Sequence, residues 1–199
     1  SARERWRRAL IFTLPCLCVG LLLLAYNQAR FDSPFEFGHR YLAGGRLLRV
    51  QNHGLFGMIY LKKNLIAAFT LLPLLLPTAP FLKVSWHGVA IQLSSPGLIW
   101  ALIPRTWSRL SALALLYMLP LLVLLLLYQN TGWVQVSYRF IIDLLPPLLI
   151  LTALNGRQID RIWRGAILWS VLFNLLAAAA FHRAWFQPIF VDLPKLFPH

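Results

Sequence analysis

The sequence predicts an all-α, polytopic membrane protein with about five transmembrane helices and an interfacial segment at the outer leaflet. Three observations predict it. Hydrophobic residues make up 59% of the chain and charged residues 13%, against about 25% charged in an average soluble domain. So little polar surface cannot cover the chain in water. Several apolar runs approach the ~20 residues that cross a bilayer as a helix. Arginines gather at the ends of those runs, where they set orientation.

The first span is read at 9–26. Arg3, Arg5, Arg7 and Arg8 precede it. A signal peptide shares this outline, but its apolar region is about 7–15 residues and ends at a small-x-small site. This run is longer and ends in Tyr-Asn-Gln-Ala, so a retained helix is expected. The sequence opens at Ser1, which leaves a processed or partial product open. Cys16 and Cys18, two apart, point in nearly opposite directions on a helix and cannot pair.

An outer loop is read at 28–87, mixed in charge and rich in aromatics. Within it, 64–82 is apolar but carries Pro73, Pro77 and Pro80. Prolines remove donors and clash with the preceding turn. The spacing therefore predicts a short interfacial helix at 61–72, then an extended or broken piece. Further spans are read at 88–103, which contains Pro96-Gly97, and at 110–127, 137–154 and 165–181. The aromatic, proline-rich tail suits an interface. Residues 1–199 are expected to form a single membrane domain.

Charge bias tests the count. Five spans with a cytoplasmic N-terminus put nine arginines inside: Arg3, Arg5, Arg7, Arg8, Arg105, Arg109, Arg157, Arg161 and Arg164. A span at 64–82 would turn the last five outward, against the positive-inside rule. The expected location is the bacterial inner membrane. The net charge of +13 then belongs to topology and anionic lipid. Nucleic-acid binding is excluded, because no basic stretch is interleaved with stacking aromatics.

Four groups of residues are candidates for function. Arg139 and Asp143 are four apart at the outer end of 137–154, beside Tyr138. On an α-helix they share a face and would form an ion pair. Pro146-Pro147 would kink the helix one turn below. Arg139 could snorkel to headgroups, or meet a lipid phosphate through its planar fork. Ser170 and Asn174 are read as polar contacts between helices. Asp32 and Glu36, with His39 and Arg40, are outer-loop candidates for acid–base work, although exposed loop charges are usually solvated. His39, His53 and His87 lack metal-ligand spacing, so no metal or cofactor is expected. No GxSxG, HExxH or Walker loop occurs, and "AGGRLLR" lacks the GK[ST] ending.

Three ordered patches carry a resemblance: "YNQARFDSPFEFGHRY", "GVAIQLSSPGLIWALIP" and "YQNTGWVQVSYRFIIDLLPPLLILTA". Together they cover most of 26–154. They resemble the C-terminal membrane half of GT-C-type glycosyltransferases, which use polyprenyl-phosphate sugars. That superfamily keeps its catalytic acids in the first outer loop of an N-terminal half, which has no counterpart in these 199 residues. Val136-Ser137 also stands where relatives often have Phe-Gly or Gln-Phe before the Tyr-Arg. The resemblance implies that Tyr138, Arg139 and Asp143 are a structural motif at the outer leaflet, with no catalytic base among them. The expected function is a non-catalytic membrane subunit or scaffold in a larger assembly. Its partners would be membrane lipid, anionic or polyprenyl-phosphate, and other membrane subunits. The alternative is the C-terminal half of an active glycosyltransferase. A transporter fits less well, since paired broken helices from two repeats are missing.

Overall fold

The computed structural model describes residues 2–42, 45–154, 156–181 and 183–193. It is mostly helical. Packing divides it into two units, Ser1–Asn52 and His53–His199, where one domain is expected from the sequence. Among the described residues, three helices are long and apolar enough to cross a membrane: α1 (Ala2–Phe31), α5 (Arg109–Leu127) and α7 (Arg161–Ala180).

In the first unit, α1 runs 30 residues, beyond the expected 9–26 at both ends. Glu4 accepts from Arg8 at 3.1 Å and keeps the basic first turn helical. The chain leaves α1 through Asp32, in the left-handed region at φ 54. Phe31 then stacks on Tyr41 at 5.2 Å, and Asn27 donates to the Pro34 carbonyl at 3.2 Å. A short amphipathic helix, α2 (Gly45–His53), follows, where only loop is expected.

The second unit opens with α3 (Leu61–Leu65), which widens into a π-helical turn at Ile66–Thr70. The expected helix at 61–72 is thus present to residue 70. Beyond it, β1 (Leu74–Leu75) pairs antiparallel with β2 (Leu82–Ser85), and β2 pairs parallel with β3 (Phe190–Val191). Asn64 is fully buried. Its amide donates to the carbonyls of Leu126 at 2.8 Å and Tyr128 at 2.7 Å, closing the C-terminal end of α5. At the other end of α5, Ser108 accepts from Ser111 N–H at 3.0 Å.

Two of the five expected spans are not continuous α-helices. Residues 88–103 form α4 (Ile91–Ser94), a break at Ser95, and a 3-10 helix at Pro96–Leu102. Pro96 cannot donate to an α-helical ladder, so the chain restarts there with tighter winding. Residues 137–154 form a 3-10 helix at Arg139–Leu144 followed by α6 (Leu145–Leu154). Pro146 and Pro147 sit in the first turn of α6, where backbone N–H groups have no intrahelical acceptor. They start this helix; the expected mid-helix kink is not formed.

The core of this unit lies where α5, α6 and the Pro96–Leu102 helix meet, around Ala101, Met118, Leu144, Leu148 and Leu151. Gly97 lets the 3-10 helix approach α7 closely, since a Cβ there would stand 3.3 Å from Ile167 Cγ1. Trp100 stacks on Trp163 at 6.1 Å.

Candidate functional site

The second and third resemblance patches, far apart in sequence, meet through their backbones. Val89 N–H donates to Val136 O at 2.9 Å, and Tyr138 N–H donates to Val89 O at 3.3 Å. Gly88 makes this approach possible. It has φ +84, and a Cβ there would lie 2.9 Å from Ser137 N. Ser94 Oγ and Ser137 Oγ are 2.6 Å apart one turn further on.

A buried polar cluster sits above this seam. His87 Nδ1 lies 2.6 Å from Thr131 Oγ1 and 3.0 Å from Gly132 O. Gln135 Nε2 donates to His87 O at 2.7 Å and to Thr131 O at 2.8 Å. Gly132 adopts φ +86 and fits under Gln135, whose Oε1 a Cβ would meet at 2.1 Å. Trp86 stacks with Phe190 at 4.5 Å and with Trp133 at 6.0 Å. Sequence reasoning missed His87, Thr131 and Gln135 as a group. The Asn-Thr-Gly turn was the available signal, since a glycine held at positive φ fixes the loop around it.

The break at Ser95 leaves carbonyls of α4 without helical donors, and α7 supplies them. Trp169 Nε1 donates to Leu93 O at 2.6 Å, and Asn174 Nδ2 donates to Ser94 O at 3.1 Å. In a bilayer, irregular backbone must be satisfied by neighbouring protein in this way. Ser170 does not reach across. Its hydroxyl donates to Ala166 O of its own helix at 2.7 Å.

Arg139 and Asp143 form no ion pair with each other. They lie on a 3-10 helix, where residues i and i+3 align and i+4 turns away. Both side chains are exposed. The Arg139 guanidinium lies 5.6 Å from the Phe140 ring centroid. Tyr138 is buried against Ala67, Ala68, Leu71 and Ile91, inside the protein and away from an interface.

The outer-loop candidates fold onto the end of α1. Glu36 is buried and accepts from Arg40 N–H at 3.3 Å, while Arg40 Nε lies 3.2 Å from its other oxygen. Burial acts to raise the Glu36 pKa. The N–H groups of Arg40, His39 and Gly38 and the Arg40 guanidinium overcome it, so the net shift is downward. Asp32 is exposed and His39 half-buried. Among the described residues no three His, Cys, Asp or Glu side chains gather as a metal site requires.

Below the seam lies a cavity of about 410 Å³ between α4, the Pro96–Leu102 helix, α5 and α6. Its walls are aliphatic apart from Phe69, Gln92 and Ser95. Comparison with family models, curated proteins and solved structures finds no match.

Proposed function

We propose that this chain is a non-catalytic subunit or scaffold of the inner membrane, derived from a GT-C-like glycosyltransferase and docking in a larger membrane assembly. The observation that carries this reading is the state of Glu36. It is the better buried of the two outer-loop acids, and its carboxylate is already engaged by Arg40 and by backbone N–H groups. A general base must be free to take a proton near the working pH. A carboxylate held low by these contacts is built to stay ionised and to fix the turn.

The chain on this reading crosses the bilayer five times from a cytoplasmic N-terminus. The broken segments support two of those passes. Gly88 meets Ser137 at one end, and Arg157 donates to the Ile103 carbonyl at the other. The two segments therefore run side by side in the same direction, and α5 returns between them.

One observation favours the second reading, the C-terminal half of an active enzyme. The two patches of the resemblance close on each other through Val89, Val136 and Tyr138 instead of lying apart. An assay of the purified chain separates the readings. With a polyprenyl-phosphate sugar and a broad acceptor panel, no turnover is expected. Turnover that disappears in Asp32→Asn or Glu36→Gln would restore the enzyme.

A further inference from the structure

We infer that the shallow cavity between Arg105, Arg157 and Gln158 seats the phosphate of an anionic phospholipid headgroup. The inference rests on the membrane reading of the chain and holds for a scaffold and an enzyme alike. Two guanidiniums and one amide line the cavity, and no carboxylate is among them. Residues 103–109 and 156–164 carry five arginines against one acid, Asp160, so positive charge is in surplus. Asp160 is turned to another task, accepting from Trp163 N–H at 2.7 Å as the N-cap of α7. Arg105 is exposed and forms no ion pair with a described carboxylate. Arg157 donates through Nε to the Ile103 carbonyl of the facing loop. That contact uses one of the five N–H groups of its rigid fork and orients the rest.

The helix ends argue for an anion independently. The two loops open directly into α5 and α7, and a helix N-terminus carries a partial positive charge. Acids are favoured in such a first turn, yet neither helix has one there. Instead α5 starts on Arg109, and α7 carries Arg161 and Arg164. Positive side chains on positive helix ends repel until an anion sits among them. Orientation in a bilayer asks only for the number of arginines. It does not ask that two of them line one cavity. A phosphate diester fits the arginine fork, which donates parallel hydrogen bonds to paired oxygens. Both helices are long and apolar enough to cross a membrane, so their starts lie at headgroup level. Basic pockets beside the ends of spanning helices take anionic lipid. The surplus of arginine repels the ammonium of a zwitterionic headgroup, which selects a lipid of the phosphatidylglycerol kind.

The test uses the full chain, first in vesicles washed with alkaline carbonate, then in detergent micelles. In micelles it is titrated with phosphatidylglycerol or phosphatidylethanolamine, and bound lipid is read by native mass spectrometry. Thermal unfolding checks the fold of each variant. Phosphatidylglycerol should bind at least about tenfold tighter. Arg105→Gln should weaken it about tenfold, the worth of a charged hydrogen-bond donor. Arg157→Lys keeps the charge, removes the fork and should also weaken it. Arg109→Gln makes the same charge change at the same end, outside the cavity lining, and should shift affinity less than about twofold. Should Arg157→Lys not fold, Arg105→Gln at its exposed position decides alone. A chain washed from the vesicles would overturn the membrane reading and this inference together. A retained chain that binds both lipids alike would overturn this inference only. The same holds if the preference survives Arg105→Gln or falls equally in Arg109→Gln. Displacement of the lipid by inorganic phosphate would assign the cavity to a soluble anion and overturn it too.

Discussion

At Gly88 a single hydrogen atom decides whether two segments can meet. The residue is left-handed, and Ser137 backbone atoms stand 2.9 to 3.0 Å from where a Cβ would be. An L side chain in that region costs about 1–2 kcal/mol before any clash. The obstacle is backbone and cannot rotate away. Gly88→Ala should therefore lose more than about 2 kcal/mol of stability, read as an earlier transition in a detergent unfolding titration. A variant that unfolds with the parent would show the approach to be looser than described. Glu36 makes a different prediction. Its folded pKa lies below the ordinary 4.5. The contribution is complete above about 4.5 and is lost as pH falls through the lower folded value. Amide exchange in residues 33–41, corrected for intrinsic rates, should rise below that pH. Glu36→Gln should remove the pH dependence.

Legibility at the scale of elements tracks continuity. α1, α5 and α7 were readable because each joins a long apolar run to flanking arginines. The segments 88–103 and 137–154 have the apolar content of spans, and their composition hides the break. Pro146-Pro147 were read as interrupting a helix, when position alone makes them its first turn. The pairing of Arg139 with Asp143 follows from reading 137–154 as α-helix throughout, since an i, i+4 pair does not meet on the 3-10 helix that forms there. Asn174 was legible as a polar side chain in an apolar helix, but its partners, the Ser94 carbonyl and Ser95 hydroxyl, exist only because α4 breaks. The cluster of His87, Thr131 and Gln135 depends on contacts 44 to 48 residues apart, which no local pattern announces. A double-mutant cycle on Arg139→Gln and Asp143→Asn should be additive within about 0.5 kcal/mol. A larger coupling would mean that the two charges meet after all.

For the whole molecule the testable quantity is sidedness. The loops 103–108 and 156–160 lie together, with Gly156 closing on the Thr106 hydroxyl. Arg105 and Arg157 line one shallow cavity with Gln158. On the proposed reading of five passes from a cytoplasmic N-terminus, this arginine-rich end faces the cytoplasm. In a background with Cys16 and Cys18 changed to serine, Gln158→Cys should resist an impermeant thiol reagent in intact cells and react once the membrane is opened. Labelling in intact cells would reverse the orientation.

The sealing of the Ser95 break by α7 also sets an order of events during synthesis. The carbonyls of Leu93 and Ser94 emerge from the ribosome long before Trp169 and Asn174 do. For roughly 75 residues of translation, about 4–15 s at 5–20 residues per second, the segment has no donor for them. It cannot settle in hydrocarbon during that time without leaving polar backbone bare. The nascent chain must therefore keep 88–103 in a wet or chaperoned place, such as the channel of the insertion machinery, until the last helix arrives. On the five-pass reading, a chain stopped before α7 would carry an unfinished pass, and quality-control proteases that patrol the membrane should find it.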